Sequence, residues 1–193
     1  MKTLTKVLVA ATAMSLVAGG ALAQTTSIGQ GRLDMEGTAP STCLVSAPQA
    51  AVGSNATFDS TSSQQGQVTI TALADPQTAI AKQASISVAL PAICNTAHHV
   101  TVTSLNRGLL RQGGVASQTS VNGFREFVPY SVTASWAGQT ATGQSLSGTP
   151  VNINASDGAA GQVSLTIDVP AGGDPLVAGT YSDSLTIELQ VAS

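Results

Sequence analysis

The sequence predicts an all-β chain folded as an antiparallel sandwich, and three observations carry that expectation. Several short segments alternate apolar and polar residues with a period of two, the side-chain period of a strand. Clusters of Gly, Pro, Asn, Asp and Ser separate those segments at short intervals. No stretch holds a sustained 3.6-residue apolar pattern with caps, so little helix is expected. Seven or more such strands in one domain fit a sandwich, and the same pattern is compatible with a barrel.

In chain order, Met1 to Ala23 is set apart first. Lys2 and Lys6 precede an apolar run too short to span a bilayer, and A-L-A supplies a cleavage site. This is a secretory signal peptide by pattern, with Gln24 as the expected mature N-terminus. The mature chain would hold about 170 residues, enough for one domain, with no membrane span and export through the periplasm to the cell surface or medium. It would keep five basic residues, none clustered, against ten carboxylates, a net charge of −5. That balance argues against nucleic acid as a partner.

From Ile28 the chain reads I-G-Q-G-R-L-D-M-E. Gly29, Gly31, Leu33 and Met35 fall on one side, while Gln30, Arg32, Asp34 and Glu36 fall on the other, as in a strand with one face for burial. Ile28 stands out of phase. A short strand is expected over Thr42 to Ser46, then a polar, turn-rich connection from Ala47 to Gly66. Val68, Ile70 and Ala72 mark the next strand, and Asp75-Pro76 a turn. Ile86, Val88 and Leu90 alternate up to Pro91, where that strand is expected to end, and His99 to Leu105 gives another. Asn106 to Asn122 reads as a long loop or hairpin. Pro129 makes Phe124 to Pro129 an edge or entry segment before the strand Tyr130 to Trp136. Gly138 to Gly148 reads as loop, and Val151 and Ile153 as a short strand. After the Asp157-Gly158 turn, Val163, Leu165, Ile167 and Val169 alternate cleanly. Leu185, Ile187, Leu189 and Val191 do so most cleanly of all, against Ser184, Thr186, Glu188 and Gln190.

Cys43 and Cys94 are the two cysteines. In an exported chain they are expected to form one disulfide closing a loop of about 50 residues. A metal site fits poorly, because two isolated cysteines give two ligands and His98 and His99 point to opposite faces of a strand. No nucleophile elbow, zinc helix, phosphate loop or calcium loop is present, so neither enzyme nor cofactor is expected. His98 and His99 are expected as a surface pair. Trp136 with Tyr130 has the composition of a sugar-stacking platform, but with so few aromatics both are expected in the core. Asn55-Ala56-Thr57 and Asn154-Ala155-Ser156 match glycosylation acceptors, a short and common pattern.

Three stretches together resemble a family. The opening strand ends in E-G-T-A-P-S-T-C-L-V, a second cysteine follows the alternating I-S-V-A-L-P-A-I-C, and the last strand reads A-G-T-Y-S-D-S-L-T-I-E-L-Q-V. These resemble the pilin subunits of the chaperone–usher pathway, and G-T-Y-S-D-S-L-T-I is closest to the spore coat U-like branch, which includes the archaic fimbriae. The match covers the ends and the cysteine pair. The cysteines stand further apart than in most such subunits, which marks Ala47 to Gly66 as an insertion. The penultimate tyrosine of ordinary type 1-like pilins is absent.

The resemblance implies an immunoglobulin-like sandwich missing its final strand. A periplasmic chaperone fills the gap before the N-terminal extension of a neighbouring copy or related subunit replaces it at the outer-membrane usher. It divides the chain into a signal peptide (1–23), an N-terminal extension (24–36) and a pilin-like domain (37–193). Gly29, Gly31, Leu33 and Met35 become the candidate donor strand, and Leu185, Ile187, Leu189 and Val191 one wall of the acceptor groove. The function implied is that of a structural subunit of an adhesive surface fibre in a Gram-negative bacterium. The competing expectation is a self-contained secreted sandwich that binds a ligand such as a glycan through loops near Arg107 to Asn122 and Trp136.

Overall fold

A computed structural model describes residues 32–192. The chain divides after Thr38, and the compact unit Ala39–Ser193 carries all the described strands. Among the described residues there is no α-helix, only one 3-10 turn at Ser145–Ser147. The fold is all-β and antiparallel, as its alternating segments predict.

The larger sheet is built on two long strands, β5 (Ala84–Cys94) and β12 (Ala159–Val169), paired along their whole length from Ala84↔Val169 to Cys94↔Ala159. β9 (Ser131–Trp136) pairs with β12, and β10 (Gln139–Gln144) pairs with β9. The other edge of β5 is shared by two short strands, β1 (Cys43–Val45) and β2 (Gln49–Ser54), giving six strands in all. The smaller sheet runs β11 (Val151–Ala155), β6 (His98–Ser104), β14 (Leu185–Val191). Between the two sheets lie Ile86, Val88, Leu90, Val132, Ala134 and Leu165 from one and Val100, Val102 and Ile153 from the other, all buried. This is a sandwich core: the inward residues of each strand are the apolar ones that alternate in the sequence. Two small accessory sheets complete the fold. β3 (Ala56–Ser60) and β4 (Gly66–Ile70) form a hairpin, and β13 (Tyr181–Ser182), β7 (Leu109–Arg111) and β8 (Phe127–Val128) form the other.

Three sequence expectations are corrected here. Ala47 to Gly66 is not a plain connection, because it holds β2 and β3; its Ala, Gly, Ser and Gln have little strand signal alone, and β2 forms because the edge of β5 is there to pair with. Gly138 to Gly148 is not all loop. Trp136 and Gln139 pair across a two-residue turn in which Ala137 (φ 50°) and Gly138 (φ 76°) are both left-handed, the turn type that matches strand twist. Alanine in the first of those positions hides the usual Asn-Gly signature. Finally, β5 does not stop at Pro91. The carbonyl of Pro91 accepts from the Ser46 amide, so its missing N–H faces the same edge, at the point where β1 gives way to β2.

Cys43 and Cys94 are disulfide-bonded, directly opposite each other in the β1–β5 ladder. The bond ties the first strand of the compact unit to the end of one of its two longest.

Candidate functional site: an open strand edge

β14 pairs with β6 alone among the described strands. Its hydrogen-bonding phase follows from the two bonds that bracket the ladder. The amide of Leu105 donates to the Ser184 carbonyl (2.9 Å), and the amide of Ala192 donates to the Ala97 carbonyl (2.9 Å). In an antiparallel ladder the bonded positions recur every second residue, so Thr186, Glu188 and Gln190 also face β6. Leu185, Ile187, Leu189 and Val191 therefore turn their N–H and C=O groups outward, to an edge with no described partner. Backbone groups and side chains share the period of two, so these residues are also the ones whose side chains point into the sandwich.

Their burial is incomplete. Leu185, Ile187 and Leu189 pack against the core but are only half-buried, and Val191 is 39% exposed. The equivalent inward residues of β5 are covered: Ile86, Val88 and Leu90 are at most 6% exposed. The difference is what lies beyond each strand. β5 is flanked by paired strands on both edges, whereas among the described strands β14 pairs on one edge alone, with the three-residue β1 within 8 Å of it Cα to Cα but not paired. Half-buried Val45 of β1 faces the same core. The two sheets approach at both sides, β10 to β11 and β1 to β14, without a hydrogen-bonded ladder at either.

The start of β14 is pinned by Asp183, which the sequence reading did not single out although it sits in the quoted G-T-Y-S-D-S-L-T-I. Its Oδ2 accepts from the Ser104 hydroxyl (2.5 Å), the Tyr130 hydroxyl (2.6 Å) and the Gly108 amide (3.1 Å). Its Oδ1 accepts from the amides of Ser184 (2.7 Å) and Asn106 (2.8 Å). One carboxylate thereby joins β14, the end of β6, the turn after β6 and the residue that leads into β9. Tyr130 is 4% exposed, and its hydroxyl is held neutral well above the usual tyrosine range, first by burial and then by the bond to Asp183. A single Asp just ahead of a strand start is the trace of this in the sequence, and it does not say which donors converge.

The histidine pair is corrected. His99 is partly exposed, but His98 is 1% exposed inside the sandwich. Trp136 Nε1 donates to His98 Nε2 (2.6 Å), which leaves Nδ1 to donate to the Thr96 carbonyl (2.7 Å). The two histidines point to opposite faces of β6 as expected, and the inner one finds its partner in the core. Trp136 is 3% exposed, so its ring offers no platform to a sugar.

Of the candidate donor residues, Leu33 and Met35 are 85% and 87% exposed, and no strand includes Arg32 to Thr42. Gly29 and Gly31 lie outside the described residues, as does the expected signal peptide. Among the described residues no group of His, Cys, Asp and Glu could hold a metal ion, and no helix is long and apolar enough to cross a membrane. No protein-family model, curated protein or solved structure matches the chain.

Proposed function

We propose that the chain is a structural subunit of a secreted surface fibre, assembled by strand addition, and related to the spore coat U-like branch of chaperone–usher pilins. The observation that carries this reading is the edge of β14. It combines outward backbone donors and acceptors with inward apolar side chains that are left half-covered. A strand laid along that edge would supply both the missing hydrogen bonds and the missing apolar cover. Gly29, Gly31, Leu33 and Met35 of a neighbouring copy have the alternation such a strand needs, with Arg32, Asp34 and Glu36 left in water. Before a neighbour arrives, an edge of this kind invites aggregation, which is the physical reason for a periplasmic chaperone and an outer-membrane usher. Export would follow from the signal sequence, and the fibre would act by adhesion rather than catalysis.

The test is deletion of Gln24 to Met35 in the expressed, exported chain, with fibre formation read by electron microscopy and by SDS-resistant ladders. Loss of polymers, with the truncated subunit still captured by added wild-type subunit, is the expected result. Polymers that persist without the segment, or a full-length exported chain that forms no polymer, would overturn the reading.

A further inference from the structure

At the end of the sandwich where β6 leaves the core, an open depression of about 310 Å³ is lined by Leu105, Leu110, Ala116, Phe127, Leu146 and Arg107. That volume is at the small end of the range for small-molecule sites. Its apolar rim is unusually bare: Leu105 is 74% and Leu146 40% exposed. Arg107 is the only cation in the lining named, and it differs from the other described cations. Arg32 bonds Asp34, Arg111 bonds Glu126, Arg125 bonds the carbonyls of Asp174 and Gly172, and Lys82 lies near Asp75. Among the described residues the Arg107 guanidinium has no hydrogen-bonded partner. Asp183 lies under the same turn, but its oxygens are taken by five donors, none of them this side chain.

The backbone at Arg107 is also held in place. It is left-handed (φ 62°), a conformation unfavourable for a non-glycine residue. The amides on either side of it, Asn106 and Gly108, both donate to Asp183, so the turn cannot relax without breaking that cluster. Gly108 is required there, since a Cβ would meet the Phe127 ring at 2.4 Å. The arginine side chain lies across Gly148, where an added Cβ would come 2.8 Å from Nε. An exposed guanidinium with no hydrogen-bonded partner among the described residues, beside exposed leucines, is an arrangement for an anion with an apolar body.

We propose that this depression binds a small amphiphilic carboxylate, its acyl chain on Leu105, Leu110 and Leu146 and its carboxylate on Arg107. Leucine in place of exposed aromatic rings selects an acyl chain over a sugar, and the guanidinium fork selects carboxylate over a neutral head. The site is independent of strand addition, so it stands or falls separately from the fibre reading.

The experiment titrates the mature, isotope-labelled protein with sodium octanoate, with 1-octanol and acetate as comparisons, and follows backbone amides by NMR. Shifts at Leu105, Arg107, Ala116 and Leu146 are expected with octanoate, and binding about tenfold or more weaker for octanol and acetate. Arg107→Asn removes the charge but suits the left-handed backbone, so it should fold at least as well while losing about tenfold or more in octanoate affinity. Leu146→Ser should weaken octanoate and leave acetate unchanged. Absence of shifts at millimolar octanoate, shifts clustered along β14 instead, or equal affinity in Arg107→Asn would each overturn the proposal.

Discussion

Replacing Asp183 with alanine removes the acceptor of five hydrogen bonds at once, and the cost can be worked donor by donor. The Ser184 amide is exposed, and Ser104 and Asn106 are partly so; water replaces much of what they lose. Two donors have no such recourse. The Tyr130 hydroxyl, in a residue only 4% exposed, loses a bond to a charged acceptor, worth roughly 1.5–3 kcal/mol. The Gly108 amide, in a buried residue under Phe127, becomes an orphan at roughly 1–3 kcal/mol. The expected loss is about 4 kcal/mol, a large share of the roughly 5–15 kcal/mol that holds a domain together. Urea unfolding at neutral pH measures it, followed by the fluorescence of Trp136, the one tryptophan. Asp183→Asn keeps one oxygen acceptor and should lose about half as much. In a double-mutant cycle with Tyr130→Phe, a coupling of about 1.5 kcal/mol or more is expected. An Asp183→Ala protein within about 1 kcal/mol of the parent would refute the reasoning that this carboxylate holds the start of β14.

Other outcomes follow from single contacts. The Tyr130 pKa is raised in the folded protein, chiefly by burial and then by Asp183, so the unfolded chain loses that proton first. Stability is then complete below the ordinary tyrosine value of 10.0 and falls as pH rises above it, a decline that urea midpoints should show and Tyr130→Phe should reduce. Glu126 behaves with the opposite sign: Arg111, then the Val115 amide, lower its pKa below 4.5, so its contribution is lost as pH falls through that region, and Glu126→Gln should flatten the acid limb of the same profile. Trp136→Phe strips His98 Nε2 of its donor inside the core and should cost about 2 kcal/mol by thermal or urea unfolding monitored by circular dichroism. Reducing the Cys43–Cys94 bond, which spans 51 residues, should cost about 4 kcal/mol in the chain-entropy picture, read as a lowered urea midpoint with unchanged strand content.

The strands that read clearly in the sequence are those with one buried face and one wet one. Val163 to Val169 and Leu185 to Val191 alternate because every second side chain must leave water, and that pressure acts residue by residue. Strands made of small or polar residues carry no such mark. β2 and β10 exist because a neighbouring strand offers its edge, and nothing local in Q-A-A-V-G-S or Q-T-A-T-G-Q announces that neighbour. His98 shows the same gap at a single residue. Its side chain could be placed on a face of β6 from the alternation, but whether that face holds a partner depended on Trp136, 38 residues away.

Residue pattern alone was enough for the fold class, the disulfide and the alternation that turns Leu185, Ile187 and Leu189 toward the core, while Val191 at the end of the strand is exposed. How far those residues are covered is a different kind of property. It depends on which strand lies beside β14, and pairing partners are chosen by chain segments far apart in sequence. The half-covered edge, the five donors gathered on Asp183 and an Arg107 without a hydrogen-bonded partner among the described residues all arise from such long-range placement. Periodicity records how a residue meets its own strand; an edge left open is defined by what stands next to it.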